Sequence, residues 1–190
     1  MSVTGAGDAE YLDMSVIRHV WTRMPWLFAL MCSYILTGGI ITKFEDMLSA
    51  MICLVAYMPM LSGTGGNSGS QSATLIIRGL AVDEIAVRDA LKILWKEFRV
   101  SFIIGVVLSV LNMLRVVFID GNGVMVGFTV SLSMIIIVMA AKMVGSMLPI
   151  IAKVIGIDPA LMAGPLVSSL TDLMSTLIYF VLAVHILNLH

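Results

Sequence analysis

Long apolar segments alternate with short polar connections along the chain, a pattern that predicts membrane-spanning helices. About 20 apolar residues are needed to cross the hydrocarbon core of a bilayer. Five segments reach or approach this length: residues 24–42, 47–61, 100–119, 124–148 and 159–187. We therefore expect an all-α integral membrane protein with five transmembrane helices per chain.

The second apolar segment leads into a run of glycine, hydroxyl and amide residues, LSGTGGNSGSQSATLIIRGLA, at positions 61–81. Unpaired backbone polar groups cost several kcal/mol each in hydrocarbon, so irregular backbone is tolerated only inside protein or along a watery cavity. Close helix packing would explain the glycines but not the amides and hydroxyls. We expect a broken helix that offers oxygens to a permeating species, with Asn67 and Gln71 lining it.

The last apolar segment carries one carboxylate, Asp172, near its middle. An ionisable group inside a membrane span is by default a candidate functional site. Four-residue spacing places a small polar stripe on the helix face of Asp172, and Pro165 is expected to free the carbonyl of Leu161. The stripe comprises Gly164, Ser168, Asp172 and Thr176, with Ser169 and Ser175 flanking it. The alternative is a buried hydrogen-bond network without a transport role.

Composition supports the membrane assignment, since 59% of the 190 residues are hydrophobic, 12% are charged and the mean hydropathy is +1.05. Soluble domains contain about 25% charged residues. The net charge of −1 argues against a nucleic-acid partner. Cys32 and Cys53 fall inside apolar segments and are expected to be packing residues, and the histidines form no cluster that would bind zinc.

Basic residues indicate an orientation, because they favour cytoplasmic loops. With the N-terminus inside, nine of the eleven basic residues fall on the cytoplasmic side, and only Lys43 and Arg115 fall outside. Residues 1–23 are expected to be a short cytoplasmic segment without a signal peptide, and the C-terminus is expected outside. Residues 81–99 are predicted to form an interfacial helix on anionic lipid headgroups or, alternatively, a partner-docking surface.

Two motifs closely resemble the MgtE family of magnesium channels and transporters. The first, GTGGNSGSQSATLIIRGLA, resembles the family's signature, and the second, DPALMAGPLVSSLTDLMSTLIYF, resembles its fifth transmembrane helix. The overall resemblance extends over about residues 26–187. The resemblance implies that residues 24–190 form a five-helix, Mg²⁺-conducting domain. It also implies a homodimer with its pore at the two-fold axis, in the inner or plasma membrane, and it places the family's pore aspartate at Asp172.

Magnesium chemistry fits this expectation. Mg²⁺ retains several waters and binds proteins through one or two carboxylates. One Asp172 per chain, doubled across a two-fold axis, would supply two carboxylates to a hydrated ion, which is cargo and not a resident cofactor. The expected ion-binding residues are Asp172, Ser168 and Asn67, and the expected pore-lining residues are Gly164, Ser169, Ser175, Thr176 and Gln71.

The chain also departs from the family pattern. Typical members carry a helical domain, a tandem CBS pair and a connecting helix before the membrane part, where this chain has about two dozen residues. We expect either an excised membrane domain or a naturally short member, without ATP or CBS-type regulation of its own. Regulation by a separate chain is left as an alternative. Gly164 stands where an Asn is expected before the proline, which weakens any ligand role carried over to that position.

Other function classes compete with transport of Mg²⁺. An intramembrane enzyme needs convergent catalytic groups, and only Asp172 lies clearly within a span, so we expect no enzyme. A non-conducting membrane anchor or regulatory subunit of a hetero-complex is one alternative. A Na⁺- or proton-coupled carrier is another, as is a preference for a different divalent cation such as Co²⁺ or Mn²⁺.

Overall fold

The computed structural model describes residues 14–162 and 164–189, and the regular structure in those ranges is helical. The main helices are α1 (Val16–Lys43), α2 (Glu45–Ala50), α3 (Met58–Ala81), α4 (Ala90–Leu114), α5 (Val124–Val154) and α6 (Pro165–Leu187). Short 3₁₀ turns lie at Ile52–Tyr57, Val87–Asp89 and Pro159–Met162, and a π-helical turn at Arg115–Ile119 ends α4. Most of the predicted N-terminal segment, residues 1–13, lies outside the described ranges.

Four helical segments within the described ranges are long and apolar enough to cross a membrane: α1, α4 with its flanking turns, α5 and α6. The predicted class, an all-α membrane protein, is confirmed. The 24-residue helix α3 is about 36 Å long at 1.5 Å per residue, which is sufficient to cross a bilayer, but its polar run makes it less apolar than those four segments.

Helix α5 is the centre of the bundle and packs against α3, α4 and α6, whereas α1 lies at the edge against α6. The main apolar core gathers near the turn at residues 120–123, which we call the Asp120 end. A smaller apolar cluster of Ile76, Leu80 and Ile150 lies at the opposite end. The bundle therefore has two distinct ends joined by long, nearly continuous helices.

The residue before α3, Tyr57, is held at the Asp120 end by side chains of the turn between α4 and α5. Tyr57 donates a hydrogen bond from its hydroxyl to Asp120 Oδ2 at 3.0 Å and accepts one from Asn122 Nδ2 at 2.6 Å. Arg115 Nε lies 3.4 Å from the same Asp120 oxygen. Burial raises the pKa of the Tyr57 hydroxyl, which therefore stays a neutral donor.

The predicted second span, residues 47–61, is wrong in position. Residues of this segment form the end of α2, a 3₁₀ turn and the first turn of α3. The reason is Pro59, which occupies the first turn of α3, where its missing N–H costs no hydrogen bond and its fixed φ favours a helix start.

The polar run at 61–81 is a continuous α-helix and not a broken one, so that expectation is also wrong. The predicted helix at 81–99 differs in its bounds, because residues 82–86 are not helical and α4 runs from Ala90 through Arg99 into the apolar segment without interruption. No proline or glycine lies between residues 87 and 104 to end the helix there.

The helix directions sort the basic residues between the two ends. Phe44, just after α1, packs against Phe180 near the end of α6, with ring centroids 5.2 Å apart and ring planes tilted by 46°, so Lys43 lies at the Asp120 end with Arg115. Lys153 donates to the Leu80 carbonyl at the opposite end. That end also carries an exposed stripe on the 3₁₀ turn before α4 and on the first turns of α4: Arg88, Leu91, Lys92, Trp95, Lys96 and Arg99.

Candidate functional site

The polar run of α3 meets the carboxylate of α6 where these helices pack antiparallel. Ser62 Oγ donates a hydrogen bond to Asp172 Oδ1 at 2.7 Å. Two turns further along α3, the hydroxyls of Ser70 and Ser168 lie 3.3 Å apart. Gly66 lies between these contacts, where an added Cβ would be 3.6 Å from Asp172 Oδ1. Because residues four apart share a helix face, one face of α3 presents two hydroxyls and a gap to Ser168 and Asp172 of α6.

Asp172 has no cationic side chain paired with it among the described residues. Its side chain is half-buried. Carboxylate and hydroxyl oxygens are ligands suited to hard divalent cations and to their coordinated waters. The site can therefore attract a cation from outside the chain.

An open groove of about 610 Å³ lies on the outer face of α3 beside this contact. Its lining residues are Asn67, Ser70, Gln71, Thr74 and Leu75. Asn67 and Gln71 are exposed. Amide groups facing lipid without partners are costly, so this face requires water or protein against it in a membrane.

Three of the expected pore-lining residues are buried within the protomer, each at most 7% exposed. Thr176 donates from its hydroxyl to the Asp172 carbonyl at 2.9 Å. Ser175 packs against Gly65, and Ser169 lines an apolar cavity of about 300 Å³ between α1, α5 and α6. In a single protomer these side chains support the helix that carries Asp172.

The start of α6 differs from its predicted geometry. Gly164 precedes the helix with φ of +58°, so it does not lie on the helical stripe, although its carbonyl accepts the Ser168 N–H at 2.9 Å. Pro165 is the first residue of α6. The interpretation that Pro165 frees the Leu161 carbonyl is wrong, because a proline in the first turn interrupts no helical hydrogen bond.

Glycines of the polar run bring the helices close together. A Cβ at Gly145 on α5 would collide with the Gly69 carbonyl oxygen, and a Cβ at Gly65 would lie 2.6 Å from Ser175 Oγ. Gly63 has nothing within 4 Å of an added Cβ. Close packing therefore explains Gly65 and Gly69, as small residues do in membrane bundles.

Ser62, which makes the shortest side-chain contact to Asp172, is not among the residues predicted for the site. The four-residue spacing of Ser62, Gly66 and Ser70 could have indicated this contact, but only if the polar run at 61–81 is interpreted as one continuous helix. A buried contact of Ser72 with Glu97 on α4 and Lys142 on α5 was not predicted either.

The oxygen atoms of this site could bind a hydrated cation but not enclose a bare one. Within the described residues, no three His, Cys, Asp or Glu side chains come together as a metal cluster. One carboxylate with the nearby hydroxyls of Ser62, Ser70 and Ser168 leaves most of a coordination sphere to water. Mg²⁺, which usually keeps several waters when bound to proteins, suits such a site.

Comparison with known proteins gives consistent matches. The family model MgtE, described as a divalent cation transporter, matches residues 58–182. The magnesium transporter MgtE of Bacillus subtilis is 38% identical over 178 residues, covering 94% of this chain and 39% of the relative. The magnesium transporter MgtE of Thermus thermophilus is 39% identical over 176 residues, covering 93% of this chain and 39% of the relative. The chain thus spans about 39% of the length of these curated relatives.

Proposed function

Because the chain belongs to the MgtE family of divalent cation transporters, we propose that it carries Mg²⁺ across a membrane along a path between α3 and α6. Asp172 is the cation-binding carboxylate of this path, and Ser168 and Asn67 hydrogen-bond the waters of the ion. The observation that carries the proposal is the contact of a carboxylate, which has no cationic partner among the described residues, with the polar face of α3. Two relatives are named magnesium transporters, which favours Mg²⁺ as the ion.

The polar groove on α3 supports a homodimer with its pore at the two-fold axis. A groove lined by Asn67, Gln71 and Thr74 cannot face lipid without cost, but it can face water shared with a second copy. Two Asp172 carboxylates would then act on one hydrated ion, which matches the number that Mg²⁺ usually takes from proteins. Gln71 lines this path, while Ser169, Ser175 and Thr176 hold α6 in place from behind.

In this arrangement α3 also crosses the membrane, which brings the number of spans to five. Its length of about 36 Å is sufficient to cross, and its polar face is sheltered by the partner copy. The basic end of the bundle, with Lys153 and the first turns of α4, is proposed to face the cytoplasm, with the N-terminus of α1 inside and the end of α6 outside. The exposed basic stripe of α4 then lies at the level of anionic headgroups, where a separate regulatory chain could also bind.

Uptake of Mg²⁺ into proteoliposomes tests the proposal. We expect clear uptake with the parent protein and loss of at least about tenfold in Asp172→Asn, because the neutral amide removes the charge that attracts the ion. Asp83→Asn makes the same chemical change in an exposed turn and is expected to retain full uptake. Equal uptake by Asp172→Asn and the parent, with an intact dimer in both, would remove Asp172 from the ion path.

A further inference from the structure

A buried charged pair lies outside the proposed ion path, where three helices meet. Lys142 Nζ on α5 lies 3.9 Å from Glu97 Oε2 on α4, with the two side chains 5% and 14% exposed. Ser72 on α3 lies between them: its hydroxyl donates to Glu97 Oε2 at 2.6 Å and accepts from Lys142 Nζ at 3.2 Å. The three side chains thus form one hydrogen-bonded network, which we call the Ser72 network.

The charged pair adds little to the stability of the bundle, but its hydrogen bonds can define the orientation of α3. Desolvation of two charges offsets most of their attraction, so apolar residues would hold three helices together at least as well. Hydrogen bonds are directional, however, and the Ser72 network fixes where one side of α3 must point. Ser72 is fully buried, so it has no water to replace these partners.

The neighbouring contact between α3 and α5 is made by packing and not by side-chain hydrogen bonds. One turn before Ser72, α3 meets α5 through Gly69 and Gly145, almost backbone to backbone. This close approach, like the packing of Val167 and Thr171 of α6 against Gly69, provides no hydrogen bond that fixes the direction of α3. Rotation of α3 about its axis would carry Ser62 away from Asp172 and turn the polar groove.

We infer that Glu97 and Lys142 are positioning residues that fix the rotation of α3 through the Ser72 hydroxyl. They thereby hold Ser62 against Asp172 and keep Asn67 and Gln71 in the groove. Neither charged residue touches the ion. The role in transport rests on the proposed function, whereas the control of α3 rotation does not.

Cysteine accessibility along α3 tests this rotation directly. In a background with Cys32→Ala and Cys53→Ala, single cysteines are placed at exposed Gln71 and at buried Ser68, about 60° apart around the helix. The labelling rate with N-ethylmaleimide, a small neutral reagent, is measured at each position in the dimer. The parent is expected to label much faster at Gln71→Cys than at Ser68→Cys.

Ser72→Ala cuts only the link to α3 and leaves the charged pair in place, so folding is retained. We expect it to change the ratio of the two labelling rates at least about fivefold, and Glu97→Met, which removes the acceptor oxygens, to do the same. The exchange Lys142→Glu with Glu97→Lys is expected to restore the parent ratio. Ser133→Ala is the matched control, since Ser133 is equally buried but donates to the Thr129 carbonyl of its own helix.

An unchanged ratio in Ser72→Ala, or the same change in Ser133→Ala, would overturn the inference. Mg²⁺ flux is measured in parallel and separates the two proposals. A changed ratio in a protein that transports no Mg²⁺ would remove the proposed function and leave the control of α3 rotation standing. A normal ratio in Ser72→Ala, with flux lost in Asp172→Asn, would remove the control of α3 rotation and leave the proposed function standing.

Discussion

At the residue scale, the hydroxyl of Ser62 is the immediate partner of the candidate ion-binding carboxylate. Its hydrogen bond of 2.7 Å reaches Oδ1 of Asp172, the oxygen that also lies beside the gap at Gly66, and leaves Oδ2 free of this contact. Hydrogen bonds to charged groups contribute about 1.5–3 kcal/mol. Ser62 therefore fixes the rotamer of Asp172 and the direction in which its free oxygen points.

We expect Ser62→Ala to weaken ion binding without abolishing transport. The free carboxylate would sample several rotamers, so the Mg²⁺ concentration for half-maximal uptake should rise about tenfold while the maximal rate changes less. Ser146→Ala serves as a control, since Ser146 is also buried but donates to the Met143 carbonyl within α5. Concentration dependence of uptake in proteoliposomes measures both, and equal shifts in both variants would contradict a specific role for Ser62.

The sequence identifies Asp172 because a carboxylate inside an apolar span is conspicuous by itself. Ser62 is not conspicuous, since it is one of many hydroxyls in the polar run and its role depends on how α3 and α6 align. The same holds for Lys142, which the sequence places at a cytoplasmic helix end. Only the fold shows that it points inward to Glu97 and Ser72.

At the element scale, α3 is helical despite a composition that disfavours helix. Its five glycines each cost about 1 kcal/mol relative to alanine. Breaking the helix inside the bundle would leave several backbone groups unpaired at several kcal/mol each. The second cost is larger, so the run folds as one helix and satisfies its own backbone.

Two glycine substitutions distinguish the effect of close helix packing on stability from the effect of helix propensity. Gly145→Ala should destabilise the bundle by at least about 1–3 kcal/mol, because its Cβ would collide with the Gly69 carbonyl. Gly63→Ala meets nothing within 4 Å and should be neutral or stabilising, since alanine favours helix. Thermal unfolding in detergent measures both. Equal stability of the two variants would exclude close α3–α5 packing at Gly145.

Helix boundaries were predictable where apolar segments end at glycine or proline and were not elsewhere. The start of α5 follows the Gly121–Gly123 turn and agrees with the predicted segment at 124. The ends of α3 and α4 differ from prediction because hydropathy marks membrane depth, not helix ends. A helix such as α4 continues past the bilayer wherever its residues still favour helix and no breaker intervenes.

At the scale of the whole molecule, one protomer leaves a polar groove unfilled beside its carboxylate. The apolar outer faces of α1 and α4 can meet lipid, but the exposed amides of Asn67 and Gln71 cannot. A symmetric dimer would shelter the exposed amides from lipid, because a two-fold axis places the same groove of the second copy opposite the first. The sequence, which shows one carboxylate near the middle of an apolar segment, predicts a second copy but not which face that copy covers.

Cross-linking determines which face meets the second copy. With Cys32 and Cys53 replaced by alanine, Asn67→Cys should give a covalent dimer with a flexible bis-maleimide in membranes. A direct disulfide is less suitable, because it requires Cα atoms within about 7 Å, and a water-filled path holds them further apart. Val107→Cys, exposed on the apolar face of α4, should stay monomeric on the same gel. Dimer formation at Val107→Cys and not at Asn67→Cys would place the interface on α4. The groove of α3 would then lie outside any pore at the two-fold axis.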